Sequence, residues 1–199
     1  MGYGVMAFAV KPSLWTLFGS GDATLVKDTC EGSGTGDQAW IDAMIQENAY
    51  GDDDERLPDA RQALRQMIMG EPLDERIAFV YGYWLKNLCA RDVHLPNGAW
   101  LPIPPVWSRN VQEGLSRAGI NGIQIDSILL NSPPIELPPA DFPAIGFTSH
   151  TQMPALLQAF SACDLTAEPD SQVRASIQEL WGWLKFCHQH GMDLVCFYH

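Results

Sequence analysis

The distribution of prolines constrains the fold of this chain more than any other feature. It separates parts in which helices and strands can form from a middle part in which prolines interrupt them. The sequence holds 14 prolines, and nine of them lie between Leu95 and Pro143. Proline donates no backbone hydrogen bond and interrupts both helix interiors and central strands. This middle segment therefore predicts extended connections with one clear helix, from Ser108 to Gly119. Trp100 and Trp107 are expected to pack inward from it.

Regular structure is expected on both sides of this segment. Tyr3 to Val10 and Asp193 to Tyr198 are rich in apolar and aromatic residues and predict terminal strands, and residues 122–130 predict a further strand. Apolar residues at helical spacing predict about six to seven helices, with start signals at Asp22, Asp37, Pro58, Pro72, Ser108, Thr151 and Pro169. The expected fold is α+β, with a small sheet that contains the terminal strands. At 199 residues and 46% hydrophobic content, the chain is expected to form a single globular domain over residues 1–199.

The charge of the chain excludes some classes of function. Twelve Lys+Arg oppose 24 Asp+Glu, so the formal net charge is −12 and the isoelectric point is about 4.6. A field of this sign repels nucleic-acid phosphates and anionic membrane surfaces. No apolar run approaches the ~20 residues of a membrane helix. We therefore expect neither nucleic-acid binding nor membrane binding.

The acidic residues are unevenly distributed. No Lys or Arg lies between Lys27 and Arg56, although this span holds nine acidic residues. A basic protein partner would relieve the repulsion among them. Six acids are expected to steer such a partner: Asp42, Glu47, Asp52, Asp53, Asp54 and Glu55. A solvated face that serves solubility is the alternative interpretation.

The predicted C-terminal helix carries an aromatic stripe. Trp183, Phe186 and His190 lie together, away from the main apolar stripe through Leu180 and Leu184. Trp and Phe are common interface anchors, so Trp183 and Phe186 are expected partner contacts, and self-association through them is left open. Burial of the helix on two sides is the alternative.

The last residues offer ligand types that zinc prefers. Cys187 and His190, followed by Cys196 and His199, form two Cys-x2-His pairs. The second pair lies in a predicted strand, where residues three apart face opposite sides. We therefore expect no metal and no cofactor, and these four residues form the alternative zinc site. The run from Asp52 to Glu55 is the corresponding alternative for magnesium.

The five cysteines are scattered and odd in number, and the first residues lack the pattern of an export signal. Reduced thiols and a cytoplasmic location are therefore expected. His150, which follows Ser149 and precedes Thr151, is interpreted as a surface histidine beside a capping threonine.

Three segments carry a resemblance. The opening Met1-Gly2-Tyr3-Gly4-Val5-Met6, the segment from Asp141 to Phe147 and the ending Phe197-Tyr198-His199 resemble a family of uncharacterised bacterial proteins. The resemblance implies a bacterial cytoplasmic protein of similar length. It implies no activity and no site residues.

Two functions of different classes remain. The first is an acidic cytoplasmic protein-binding module, such as an immunity protein that occludes a basic toxin, and it is favoured over an enzyme. The second is a small metal-assisted hydrolase, with zinc at the C-terminal Cys/His cluster or magnesium at the acidic run.

Overall fold

The computed structural model describes residues 3–32, 35–47, 57–104, 106–161 and 163–199. In chain order its strands and α-helices are β1 (Val5–Val10), α1 (Ala23–Gly32), α2 (Thr35–Glu47), α3 (Ala60–Met69), α4 (Ala78–Cys89), β2 (Val93–His94), α5 (Trp107–Arg117), α6 (Ile125–Leu129), β3 (Ala144–Thr148), α7 (Met153–Ala159), α8 (Ser171–His190) and β4 (Asp193–Tyr198). Short 3-10 helices lie at Pro12–Leu17, Glu75–Ile77, Gly98–Trp100 and Leu165–Ala167. The described ranges contain seven α-helices of at least seven residues, which confirms the predicted α+β class.

The chain forms two compact units. Unit 1 contains Met1–Pro12, Cys89–Pro134 and Ala144–His199, and unit 2 contains Ser13–Leu88 and Ile135–Pro143. Buried apolar side chains are found in each unit. The expectation of a single domain over the whole chain stays a prediction.

Unit 1 contains a four-stranded antiparallel sheet in the order β2-β1-β4-β3. The terminal strands β1 and β4 are its central pair, with Val5 opposite Tyr198 and Val10 opposite Asp193. Both strands are buried over nearly their whole length. A strand buried on both faces needs apolar residues at successive positions, which explains why both termini are so rich in them.

Helix α8 packs against β1 and β4. It begins after Asp170, whose side chain accepts hydrogen bonds from the amides of two residues in the first turn, and ends at Gly191 in the left-handed conformation, φ 61°. Ala7, Ala9 and Cys196 belong to the same buried core as the helix. Because these side chains are small, the helix can approach the sheet closely.

Three tryptophan indoles attach the proline-rich segment to α8. Trp100 Nε1 donates to the carbonyl of Ser176, and Trp107 Nε1 donates to the hydroxyl oxygen of the same residue, both at 3.1 Å. In the opposite direction, Trp183 of α8 donates its indole N–H to the carbonyl of Pro96. All three tryptophans are buried, which confirms that Trp100 and Trp107 pack inward. Each indole thus has the partner that a buried donor requires.

Residues 122–130 contain a helix where the sequence predicts a strand. The side chain of Gln112 in α5 donates to the carbonyl of Ile123 at 3.0 Å and accepts from the amide of Ile125 at 2.9 Å. Ile125 and Ile128 are buried at helical spacing. A short apolar run is compatible with either a strand or a helix. Here the run contains a helix, and a side chain from another helix, α5, bonds to its backbone.

Several predicted boundaries also shift. Asp37 lies inside α2, Ser108 lies in the first turn of α5, and Thr151 lies two residues before α7 begins. The sequence does not predict β2 or β3. Strand β2 has two residues, and β3 has five that directly follow the proline-rich segment, so neither offers a long alternating pattern.

In unit 2, α1 and α2 both pack against α3. Asp59 and Gln62 form a capping box at the start of α3, and Gly70 ends it in the left-handed conformation, φ 69°. The indole of Trp84 in α4 donates to the carbonyl of Ala60 at 2.7 Å. Buried apolar residues of this unit include Val26, Ile41, Ile45, Leu64, Met67, Ile68, Ile77, Val80, Tyr81, Leu85 and Leu88.

Gly114 in α5 and Gly182 in α8 are expected to respond oppositely to alanine. A Cβ on Gly114 would lie 2.4 Å from Cγ1 of Val173, whereas one on Gly182 would meet nothing within 4 Å. Gly114→Ala should lower the free energy of unfolding by about 1–3 kcal/mol through overpacking. Gly182→Ala should raise it by about 0.5–1 kcal/mol through helix propensity. Urea unfolding followed by circular dichroism measures both, and a Gly114→Ala protein as stable as the parent would contradict the α5–α8 packing.

Ser176→Ala should also destabilise the protein. The substitution removes the hydroxyl that accepts from Trp107 and donates to the carbonyl of Ala99 at 2.9 Å. A buried indole N–H without an acceptor costs about 1–3 kcal/mol. Ser116→Ala, at an exposed position of α5, is the matched control and should change stability little. Equal urea midpoints for the two variants would show that the Ser176 hydroxyl is not needed.

Candidate functional site

Helix α2 has a buried face and an exposed one. Ile41 and Ile45 are buried, whereas Trp40 is 49% exposed. Met44 is half-buried and Glu47 is exposed. Because Trp40, Met44 and Glu47 are spaced four and three residues apart, they lie along the same side of the helix. The helical spacing of Trp40, Ile41, Met44 and Ile45 predicts one shared apolar face. The structure corrects this for Trp40, since one residue is a rotation of about 100° around a helix and Trp40 lies on the exposed side of Ile41.

Trp40 is held in place by an aromatic neighbour. Its ring meets Tyr83 of α4 edge-on, with centroids 4.8 Å apart and an interplanar angle of 89°. The ammonium of Lys86 lies 5.8 Å from the centroid of the same tyrosine ring. Burial raises the pKa of the Tyr83 hydroxyl, so this residue stays neutral at pH 7. We call Trp40, Met44, Glu47 and Tyr83 the Trp40 surface.

The acids predicted to steer a partner have different surroundings. Asp42 is half-buried, and its Oδ1 accepts the amide of Ala60 at 2.7 Å, so it joins α2 to the first residue of α3. Glu47 is exposed at the end of α2. The remaining four predicted acids, Asp52, Asp53, Asp54 and Glu55, lie outside the described residues. Glu47 is thus the predicted acid that the structure places on the Trp40 surface.

Charge is concentrated in unit 2. Its sequence contains 16 Asp+Glu and six Lys+Arg, a formal net charge of −10. Unit 1 contains eight Asp+Glu and six Lys+Arg, a formal net charge of −2. The electrostatic field of the protein therefore originates mainly from the unit that carries the Trp40 surface.

The predicted aromatic contacts on α8 are placed differently from each other. Trp183 is 1% exposed and packs against Trp100 with centroids 5.5 Å apart, so the structure corrects its expected surface position to a core position. Phe186 is half-buried, and its ring stacks on His190 with centroids 4.2 Å apart. Burial, the alternative interpretation, therefore applies fully to Trp183 and partly to Phe186.

The four alternative zinc ligands do not converge. Cys187 and Cys196 are buried in the core of unit 1. The ring Nδ1 of His190 lies 2.8 Å from the carbonyl of Phe186, and Nε2 of His199 lies 3.3 Å from the sulfur of Met6. Across the described ranges, no three His, Cys, Asp or Glu side chains are grouped so that they could hold a metal ion. For Cys196 and His199, three residues apart at the C-terminal strand, strand alternation is the expected reason for the separation.

The structure pairs His150 with a buried carboxylate. Nδ1 of His150 lies 2.8 Å from Oδ1 of Asp193, and the backbone amide of His150 donates to the same oxygen at 2.7 Å. The Asp193 side chain is 4% exposed and that of His150 is 40% exposed. A carboxylate at Nδ1 fixes the orientation of an imidazole, as in general bases, and it also ties the β3–α7 turn to β4. These residues are 43 positions apart, so no local sequence pattern shows the pair.

The described part of the chain contains no helix with both the length and the apolar character needed to cross a membrane.

Cysteine reactivity tests the zinc geometry. Burial raises the pKa of Cys187 to about 12 and also raises that of Cys196, whereas Cys163 is partly exposed. The thiolate is the reactive form, so iodoacetamide at pH 8 should alkylate Cys163 at least about tenfold faster than Cys187 or Cys196. Peptide mass spectrometry measures the rates, and labelling in urea is the control. EDTA should leave all rates unchanged, whereas faster labelling of Cys187 and Cys196 would restore the zinc hypothesis.

A known protein family matches this chain. No curated protein and no solved structure matches the chain. The family described as Domain of unknown function (DUF7691) matches residues 1–199, which is the whole sequence. The resemblance to an uncharacterised family is thereby confirmed: the chain belongs to the DUF7691 family.

Proposed function

We propose that this protein is an acidic binding protein that engages a basic partner protein through the Trp40 surface. The observation that carries the proposal is the half-exposed indole of Trp40, fixed edge-on against Tyr83 and followed along α2 by the exposed carboxylate of Glu47. An exposed aromatic anchor beside an acidic side chain suits a partner surface that is apolar at its centre and basic around it.

Trp40 has the properties of an interface anchor. Tryptophan is enriched among residues whose truncation costs the most binding free energy. The packing of Trp40 against Tyr83 limits its motion before binding. A side chain that is already ordered loses less conformational entropy on association, so more of the contact energy remains as affinity.

The charge of unit 2 supports a basic partner. Its formal net charge of −10 would attract a cationic protein over distances of about a Debye length, roughly 10 Å at 0.1 M salt. Such steering raises the association rate constant more than it raises the equilibrium affinity. Association should therefore slow as salt is added, while the apolar contact made by Trp40 depends less on salt.

The specific role we propose is that of an immunity protein in a bacterial cytoplasm. A nuclease toxin needs a basic surface because its substrate is a polyanion. An acidic surface with an aromatic anchor can cover such a basic surface and exclude the nucleic acid. Metal-assisted hydrolysis has no comparable support in the described residues, since the candidate zinc ligands lie apart.

Capture from the host lysate at 50 mM and 500 mM NaCl, with mass-spectrometric identification, should enrich a basic protein at low salt.

With that partner purified, Trp40→Ala should weaken binding by roughly 30-fold, the equivalent of about 2 kcal/mol. Leu130→Ala removes an apolar side chain of similar exposure in unit 1 and is the matched control. Stopped-flow or surface plasmon resonance gives the rate constants.

The contribution of the Glu47 charge to the association rate has its own control. Glu47→Gln and Glu136→Gln change the net charge of unit 2 equally, but Glu136 is an exposed residue outside the Trp40 surface. Glu47→Gln should slow association more than Glu136→Gln does at 50 mM NaCl. The proposal fails if no basic protein is enriched, or if the captured partner binds Trp40→Ala as tightly as the parent protein.

A further inference from the structure

A groove of about 540 Å³ opens in unit 1 beside the proline-rich segment and α8. Leu101, Ile103 and Trp107 contribute apolar surface, and α8 contributes Gln172 and Glu179. Sites for small molecules commonly have this volume and this mixture of apolar lining with few polar groups.

Glu179 is the sole charged residue among those that line the groove, all of which the structure describes. Its Oε2 accepts the amide of Ala99 at 3.0 Å, which fixes the carboxylate. Its Oε1 lies 3.6 Å from the position that a Cβ would occupy on Gly98. Because Gly98 has no side chain, Oε1 stays uncovered on that side and can accept a hydrogen bond from a ligand.

The start of α8 does not favour an anion in the groove. Helix N-termini attract anions through free amides. Here the carboxylate of Asp170 already accepts from the amides of Gln172 and Val173, at 2.8 and 3.2 Å. The charge that lines the groove is the carboxylate of Glu179, and its potential favours a cation.

We propose that this groove binds a small primary alkylamine, with its ammonium group on Oε1 of Glu179 and its alkyl chain against Leu101, Ile103 and Trp107. An ammonium is a compact charge that one oxygen can accept, whereas a guanidinium pairs best with both oxygens of a carboxylate. Since Oε2 is already engaged by Ala99, the site suits the ammonium. This site lies in unit 1 and is independent of the protein-binding role of unit 2.

The test compares three probes with the same six-carbon chain: hexylammonium, 1-hexanol and hexanoate. In titrations of the ¹⁵N-labelled protein followed by NMR, hexylammonium should shift the Gly98 and Ala99 amides and the Trp107 indole. Its Kd should be at least about tenfold lower than that of 1-hexanol, the gain expected from one charge-assisted hydrogen bond. Hexanoate should bind more weakly than both.

Glu179→Gln should remove the difference between hexylammonium and 1-hexanol. The glutamine carbonyl can still accept the Ala99 amide, so an unchanged urea midpoint is expected. Gly98→Ala should weaken hexylammonium binding by narrowing the access to Oε1. Glu113→Gln, at an exposed position of α5, is the control and should retain the parent preference.

Equal Kd values for hexylammonium and 1-hexanol would overturn the proposal, as would a preference for the amine that survives Glu179→Gln. Absence of binding by all three probes would also overturn it. A blocked tripeptide with a central lysine distinguishes the source of the ammonium. If that peptide binds more tightly than hexylammonium, the groove holds a protein side chain and the assignment to a small amine is wrong.

Discussion

Ser176, buried in the N-terminal third of α8, is the residue through which this helix holds the proline-rich segment of unit 1. Its carbonyl and hydroxyl oxygens accept the indole N–H groups of Trp100 and Trp107. A segment rich in prolines has few backbone donors with which to form regular structure, so side chains must hold it. These two bonds, with that from Trp183 to Pro96, place the segment on α8. The groove beside Glu179 exists because the segment lies there.

The terminal strands and α8 could be predicted because their causes are local. Continuous apolar runs predict the central strands, and Asp170 and Gly191 delimit α8 through short-range hydrogen bonds and backbone conformation. Trp40 and Trp183 differ from prediction for another reason: Trp40 is exposed where burial is expected, and Trp183 is buried where exposure is expected. Each lies on a helix with apolar residues on more than one side, and periodicity does not show which side meets the core. Trp183 is buried, and its indole donates to the carbonyl of Pro96, 87 positions away.

Long-range polar contacts accompany two other differences between sequence and structure. Gln112 bonds to the backbone on both sides of residue 124, where a helix forms instead of a strand. Oδ1 of Asp193 accepts the backbone amide of His150 and lies within hydrogen-bond distance of its ring Nδ1. In each case a polar side chain from a distant segment bonds to a backbone or side-chain group. A buried polar group without such a partner would cost free energy, so the bond stabilises the observed structure. Neither the composition nor the local spacing of residues shows which distant side chains will pair. The candidate site could therefore be predicted less well than the fold.

The two proposed sites use electrostatics over different distances. Unit 2 carries most of the net charge, so its attraction for a basic protein acts through solvent and falls as salt shortens the screening length. In unit 1 one carboxylate, Glu179, lines a groove that also contains Leu101, Ile103 and Trp107, and one amide holds it. An ammonium in contact with it is screened little by salt, because the two charges meet without a layer of electrolyte between them. Salt dependence would therefore distinguish the two proposed sites: added salt should slow association at the Trp40 surface, whereas it should change amine binding in the groove little.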